Sequence, residues 1–112
     1  MQQIGKDWLV AIWGGEKHHI GAVAVAQPRP SLKNPNLTSA SSSVICILGH
    51  KEDILAKAAA EALAAALNAV VTVTAGIHWD NITEQGIGDV NRHVKELIDL
   101  ILEKLGKEGI YV

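Results

Sequence analysis

Three short segments of the chain carry the side chains that could bind a ligand or do chemistry. In each of them, polar residues follow directly on an apolar run. Polar residues at the carboxyl ends of neighbouring strands meet at one edge of a sheet, where ligands commonly bind. We therefore predict one ligand-binding edge built from all three. The segments are residues 14–23 with His18 and His19, residues 49–53, and residues 76–81.

The second segment begins with Gly49-His50-Lys51 and precedes a predicted helix. Gly49 permits a tight turn, and the start of a helix offers unpaired N–H groups with a partial positive charge. Lys51 would add a full charge, so this segment favours an anion such as phosphate. It matches neither a Walker loop nor the dinucleotide G-x-G-x-x-G pattern. A plain strand-to-helix turn capped by His50 therefore remains the alternative.

The third segment contains His78-Trp79-Asp80 after an apolar strand. An aromatic face flanked by hydrogen-bonding groups suits an aromatic heterocycle with polar edges. Alternatively, Trp79 packs on the core and Asp80 or Asn81 makes the turn before the next helix. In the first segment, Gly21 interrupts a predicted strand, which often marks a bulge or the close approach of a ligand or another backbone.

The histidines also raise the possibility of a metal site, because imidazole and carboxylate are common ligands. No local H-x-x-x-H spacing supports it, so such a site would have to be assembled in three dimensions. Cys46, the single cysteine, is expected as a small buried residue within a strand, not as a nucleophile. The residues of this alternative are His18, His19, His50, His78 and Asp80.

Hydrophobic periodicity predicts an α+β fold in the order β-β-loop-β-α-β-α. We expect a two-layer, mixed four-stranded sheet with two helices packed on it, and an antiparallel hairpin of the first two strands. A strand–helix–strand crossover should join parallel neighbours. The predicted elements are strands 7–15 and 19–27, a long Pro/Ser-rich loop Pro28–Ser43, strand 44–48, helix 51–68, strand 69–77, and a helix with Thr83 as its N-cap.

Length and charge limit the class of protein. The 112 residues, 48% of them hydrophobic, fit a single domain over 1–112. A net charge of −2 argues against a nucleic-acid partner. The chain shows neither an export signal nor an apolar stretch long enough to span a membrane, so we expect a cytoplasmic protein. Two helices leave one sheet face without cover, which favours a homo-oligomer, most simply a dimer.

The three segments, in this order, resemble the prenylated flavin chaperone family (LpdD-like). This is the small D-type accessory protein of prenylated-FMN-dependent hydroxyarylic acid decarboxylases. The matching stretches are residues 13–15 with 19–24, residues 49–53 and residues 75–81. The resemblance implies an accessory protein without catalytic residues. It would bind oxidised prenylated FMN, or FMN as the fallback, and deliver it to a partner decarboxylase or mature it for that enzyme.

On this resemblance, a phosphate would bind at the Gly49 segment and a flavin ring near Trp79. Polar ring edges would meet His19, His78 or Asp80, and Gly21 would leave room for the ligand. Two alternatives stay open: a metal-dependent enzyme or metal-binding module, and a purely structural subunit of a larger complex. The full set of expected cofactor-binding residues is His19, Gly21, Gly49, His50, Lys51, His78, Trp79 and Asp80.

Overall fold

The structure is a computed structural model that describes residues 1–47, 52–78 and 82–105. The described part of the chain contains five strands and two helices, and the first four elements are strands. They are β1 (Gln2–Ile4), β2 (Asp7–Gly15), β3 (Ala22–Pro30), β4 (Thr38–Cys46), α1 (Asp53–Leu67), β5 (Val71–His78) and α2 (Glu84–Lys104).

The strands form one mixed sheet in the order β1-β2-β5-β3-β4. β2 pairs with β5 in parallel, whereas β3 is antiparallel to both β5 and β4. The predicted α+β class and mixed sheet are confirmed, but the sheet has five strands and not four. The additional strand, β1, is three exposed residues that pair antiparallel with β2, with Gln2 opposite Leu9. So short and exposed a strand gives almost no hydrophobic pattern to detect.

The predicted hairpin of the first two long strands is wrong, because β5 lies between β2 and β3. The crossover through α1 likewise joins strands that run in the same direction but are not neighbours, since β3 separates β4 from β5. The physical reason is burial. No residue of β5 is exposed, and Val71, Val73 and Ala75 lie at zero exposure against α1, so the most deeply buried strand takes the centre of the sheet.

The predicted loop Pro28–Ser43 is also wrong, because most of it is strand. β3 continues to Pro30 and β4 begins at Thr38, with Pro28 opposite Ala40 in an antiparallel ladder. Proline is tolerated at edge positions of a sheet, and β3 has only one neighbour beyond its pairing of Ala26 with Val71. The connection that remains is residues 31–37.

The core lies between the sheet and α1, and it is built from small residues. α1 buries mainly alanines, and β3 faces it with Ala22, Ala24 and Ala26, all fully buried. Facing alanines let the helix backbone come close to the sheet. Ile54, in the first turn of α1, is exposed and takes no part in this core. The predicted start of α2 is confirmed, because the Thr83 side chain accepts a hydrogen bond from Gly86 N at 3.0 Å.

Successive side chains of each strand point to opposite faces of the sheet, and every second one lies on the face opposite the helices. Val10 and Ile12 of β2 are buried, whereas Leu9 and Trp13 are exposed. We call this surface the open sheet face. Its central side chains are Leu9, Ala11, Trp13, Val23, Val25, Ser43, Ile45, Thr72 and Thr74. Within the described ranges, neither helix is long and apolar enough to cross a membrane.

Candidate functional site

The carboxyl ends of β2, β4 and β5 lie at the same edge of the sheet. β2 and β5 are parallel and in register, with Gly15 opposite His78. β4 runs in the same direction as β5, because both are antiparallel to β3. The described ends of all three sequence segments therefore lie at one edge, which we call the carboxyl edge.

Residues 16–21 cross the end of β5 on their way from β2 to β3. The Glu16 amide donates to the His78 carbonyl at 2.7 Å, and the Gly21 amide donates to the Ala75 carbonyl at 2.9 Å. Between these bonds, a Cβ atom on Gly76 would overlap the carbonyl group of His19. Gly76 thus allows the two backbones to touch, and the connection is held tightly against β5.

His19 joins this connection to the start of α1. Its Nε2 atom lies 2.9 Å from Oε1 of Glu52, and its Nδ1 atom lies 3.0 Å from the carbonyl oxygen of Lys17. The side chains of His19 and Glu52 are only 20% and 11% exposed. Both partners are acceptors, so the ring donates through both nitrogens when it is protonated. His19 is therefore placed to carry a positive charge beside a largely buried carboxylate.

The surroundings raise the pKa of His19 above its ordinary value of 6.5. The hydrogen bond to the Lys17 carbonyl is the largest cause, and the hydrogen bond and charge of Glu52 act in the same direction. Partial burial opposes them, because it disfavours the charged ring.

Gly21 makes room for a protein group. A Cβ atom at this position would overlap the carboxyl group of Glu52. The predicted close approach at Gly21 is therefore present among the described residues, with a carboxylate as the neighbour. Glu52 was missed as a site residue because it is 33 positions from His19 in the chain. Its only sequence signal is its place in the Gly49-His50-Lys51 segment.

The other predicted residues divide into those the structure describes and those it does not. His78, at the end of β5, has its ring centroid 6.3 Å from that of His19, with the two planes at 76°. His18 is exposed. The structure thus brings His19, Gly21 and His78 together with Glu52. The predictions for five residues lie outside the described part of the chain: Gly49, His50, Lys51, Trp79 and Asp80.

The described residues give no support to the alternative of a metal site. Among residues 1–47, 52–78 and 82–105, no three His, Cys, Asp or Glu side chains form a group that could hold a metal ion. Both nitrogens of His19 already contact protein oxygens. Two members of the predicted metal set, His50 and Asp80, lie outside this part of the chain.

The prediction of a buried cysteine is wrong, because Cys46 is exposed. It is the last residue of β4, an edge strand, and its Sγ atom lies 3.8 Å from the Ile47 carbonyl oxygen. The strand was predicted to run on to residue 48, which would have placed Cys46 in its middle. Its position at the strand end leaves it exposed.

The charges at the start of α1 affect whether this helix end can bind an anion. Glu52 is the N-cap residue, but its side chain makes no capping hydrogen bond to the helix, and its carboxylate contacts His19. The backbone N–H groups of a first helical turn attract anions. When His19 is protonated, its charge offsets that of Glu52, which would otherwise oppose an anion at this helix end, and Asp53 is a further acidic residue in the same turn.

The fold and the carboxyl edge define a small α+β protein whose polar side chains gather at one end of a mixed sheet. Residues 1–106 match the family model of the prenylated flavin chaperone LpdD-like domain. The chain therefore belongs to this family, and the resemblance seen in its three segments is confirmed. No curated protein matches the chain.

Proposed function

We propose that this protein binds prenylated FMN at the carboxyl edge and delivers it to, or matures it for, a decarboxylase. Membership of a prenylated flavin chaperone family supports prenylated FMN as the ligand. The single observation that carries the site is the contact of His19 with Glu52. It links the first segment to the second at the edge where β5 and the third segment also meet.

The phosphate of the flavin nucleotide is assigned to Gly49, His50 and Lys51. The chain on either side of them is held at the carboxyl edge. Before them, the Ile47 amide donates to the Gly21 carbonyl at 2.8 Å, and after them, Glu52 contacts His19. A phosphate at this position would gain from the N-terminus of α1 and from Lys51. The compensation of Glu52 by His19 lowers the repulsion that the phosphate would meet.

The ring system is assigned to the third segment, with Trp79 as the stacking surface. His78 and Asp80 are the proposed hydrogen-bonding partners for the polar edges of the ring. His19, whose two nitrogens contact Lys17 and Glu52, would contribute its charge when protonated. Gly21 acts indirectly in this proposal, because it makes the space in which the Glu52 carboxylate meets His19.

A binding role suits the chemistry of His19 better than proton transfer does. Its two nitrogens contact a carbonyl and a carboxylate, so the protein holds the ring in place whenever it carries a positive charge. A fixed positive charge can bind an electron-rich ring edge or a phosphate without a chemical step. We therefore assign no catalytic residue and place this chain as an accessory to the enzyme.

The test of binding is a titration of the purified protein with oxidised prenylated FMN and with FMN. We expect saturable binding of prenylated FMN, seen by calorimetry and by quenching of tryptophan fluorescence, and weaker binding of FMN. The absence of saturable binding of either flavin would overturn the proposal.

Delivery needs a separate test with a cofactor-free prenylated-FMN decarboxylase. We expect the protein loaded with prenylated FMN to restore activity faster than the same concentration of free prenylated FMN. Equal rates with and without the protein would limit its role to binding.

A further inference from the structure

We infer that the open sheet face is the surface through which two copies of this chain form a dimer. The inference does not depend on flavin binding. It begins with the exposure of large apolar side chains: Trp13 is 61% exposed and Ile45 is 69% exposed, and Leu9 and Val25 are also exposed on this face. Contiguous apolar patches of this kind on a soluble protein mark interaction surfaces.

The register makes these side chains one continuous surface. Val23 lies opposite both Ile45 of β4 and Thr74 of β5. Thr74 in turn lies opposite Ala11, which is on the same face as Leu9 and Trp13. The patch therefore runs across four adjacent strands without a break.

The charges of the described residues indicate a second copy as the partner. Within the described strands, the middle of this face carries no ionisable side chain. Asp7 and Arg29 lie at one end of it, where each is bonded within the chain, and His78 lies at the other. A neutral, apolar face can meet its own image about a twofold axis without bringing like charges together.

The helix layer carries exposed charged side chains, which the middle of the open sheet face lacks. Lys57 pairs with Glu61 on α1, and Arg92 pairs with Asp89 and Glu96 on α2. Such exposed ion pairs are well solvated by water and contribute little to association. The helix layer thus mixes exposed ion pairs with exposed apolar side chains such as Ile54 and Leu100, whereas the middle of the open sheet face carries no charge within the described strands.

The area and the side-chain sizes are appropriate for a dimer. The four long strands have eight or nine residues each. At about 4.8 Å between strands and about 3.3 Å rise per residue, they cover a flat area of about 550 Å². Because side chains project from the sheet, its accessible area is larger than this flat area and approaches the roughly 800 Å² per partner of a standard interface. The central side chains are mostly small or β-branched, which suits two sheets packed about 10 Å apart.

The test is the solution mass of the flavin-free chain by light scattering and sedimentation over a wide concentration range. We expect a species of twice the 11.9 kDa chain mass. Ile45→Lys and Val25→Lys should each shift it to the monomer, while circular dichroism keeps the wild-type spectrum. Leu100→Lys is the matched control, since Leu100 is an exposed leucine on α2, and it should leave the dimer intact.

A distance measurement keeps the inference testable if a lysine variant fails to fold. In a Cys46→Ser background, spin labels at Ile45→Cys should show a short distance between the two copies. Labels at Leu100→Cys should be clearly further apart. A wild-type monomer at all concentrations, or a dimer with the longer distance at position 45, would overturn the inference. So would a dimer that persists in both lysine variants.

Discussion

The Nε2 atom of His19 lies 2.9 Å from Oε1 of Glu52, across 33 positions of the chain. This contact ties the connection between β2 and β3 to the first residue of the α1 region. The two side chains are mostly buried, and Gly21 leaves the space that the carboxyl group needs. The pair therefore holds together two of the three segments from which the carboxyl edge is built.

Glu52→Gln tests the charge of this pair while keeping its shape. We expect the free energy of unfolding to fall by about 1–2 kcal/mol, because a hydrogen bond between charged groups becomes one to a neutral amide. The pKa of His19 should also fall relative to the wild type, since Glu52 helps to raise it. Urea unfolding and an NMR titration of the imidazole measure the two effects. An unchanged His19 pKa would contradict this electrostatic role.

The raised pKa of His19 makes its contribution to stability depend on pH. A group whose pKa is higher in the folded state stabilises the fold fully below its unfolded value of about 6.5. That contribution is lost as the pH rises through the folded value. The difference in unfolding free energy between wild type and His19→Gln should therefore be larger at pH 5.5 than at pH 9. A difference that is constant, or that grows with pH, would refute the assignment.

Gly76→Ala tests the close contact between β5 and the connection before β3. The added Cβ would overlap the backbone carbonyl of His19, which cannot move as a side chain can. We expect a loss of about 2 kcal/mol or more in denaturant unfolding. Gly88→Ala is the matched control. Nothing lies near its Cβ position in α2, so it should stabilise the protein by up to about 1 kcal/mol.

The packing of α2 can be tested with two leucines from the same turn. Leu102 is fully buried, so Leu102→Ala should cost about 2–5 kcal/mol through lost burial and a cavity. Leu100 is exposed, and Leu100→Ala should change the unfolding free energy by less than about 0.5 kcal/mol. Similar costs in thermal or denaturant unfolding would mean that α2 packs differently.

His78→Ala addresses the proposed flavin site directly. We expect prenylated FMN to bind about tenfold more weakly, equivalent to about 1.4 kcal/mol, through loss of a contact to the ring edge. His93→Ala, an exposed histidine on α2, should bind as the wild type does. Calorimetric titration of the folded variants measures both. Equal affinity in His78→Ala would remove His78 from the site.

Local patterns in the sequence were sufficient for the two helices but not for every strand or for the order of the strands. The presence of the helices and the Thr83 cap depend on neighbours within a few residues, and these predictions hold. The order of the strands depends on which strand is buried most deeply. The short link between β2 and β3 therefore led to the wrong prediction that these two strands are neighbours. The prolines of β3 were misread as loop residues because only the complete sheet shows that they lie past Val71, the first residue of β5.

The candidate site was predictable to the extent that it follows from strand direction. His19, Gly21 and His78 were expected at one edge, and they lie there. The partner of His19 was not predictable, because Glu52 meets it through the folding of two distant segments. Its carboxylate resembles any acidic residue in the first turn of a helix when only the sequence is considered.

The central position of β5 has a consequence for synthesis on the ribosome. β2 and β3 are made first, yet each pairs with β5, whose last residue is number 78. Until that residue has left the exit tunnel, the nascent chain holds two apolar strands whose mutual neighbour is missing. Such unpaired edges are prone to aggregate, and non-local pairing is slow. The sheet can therefore be completed only after β5 has been made, well after β2 and β3.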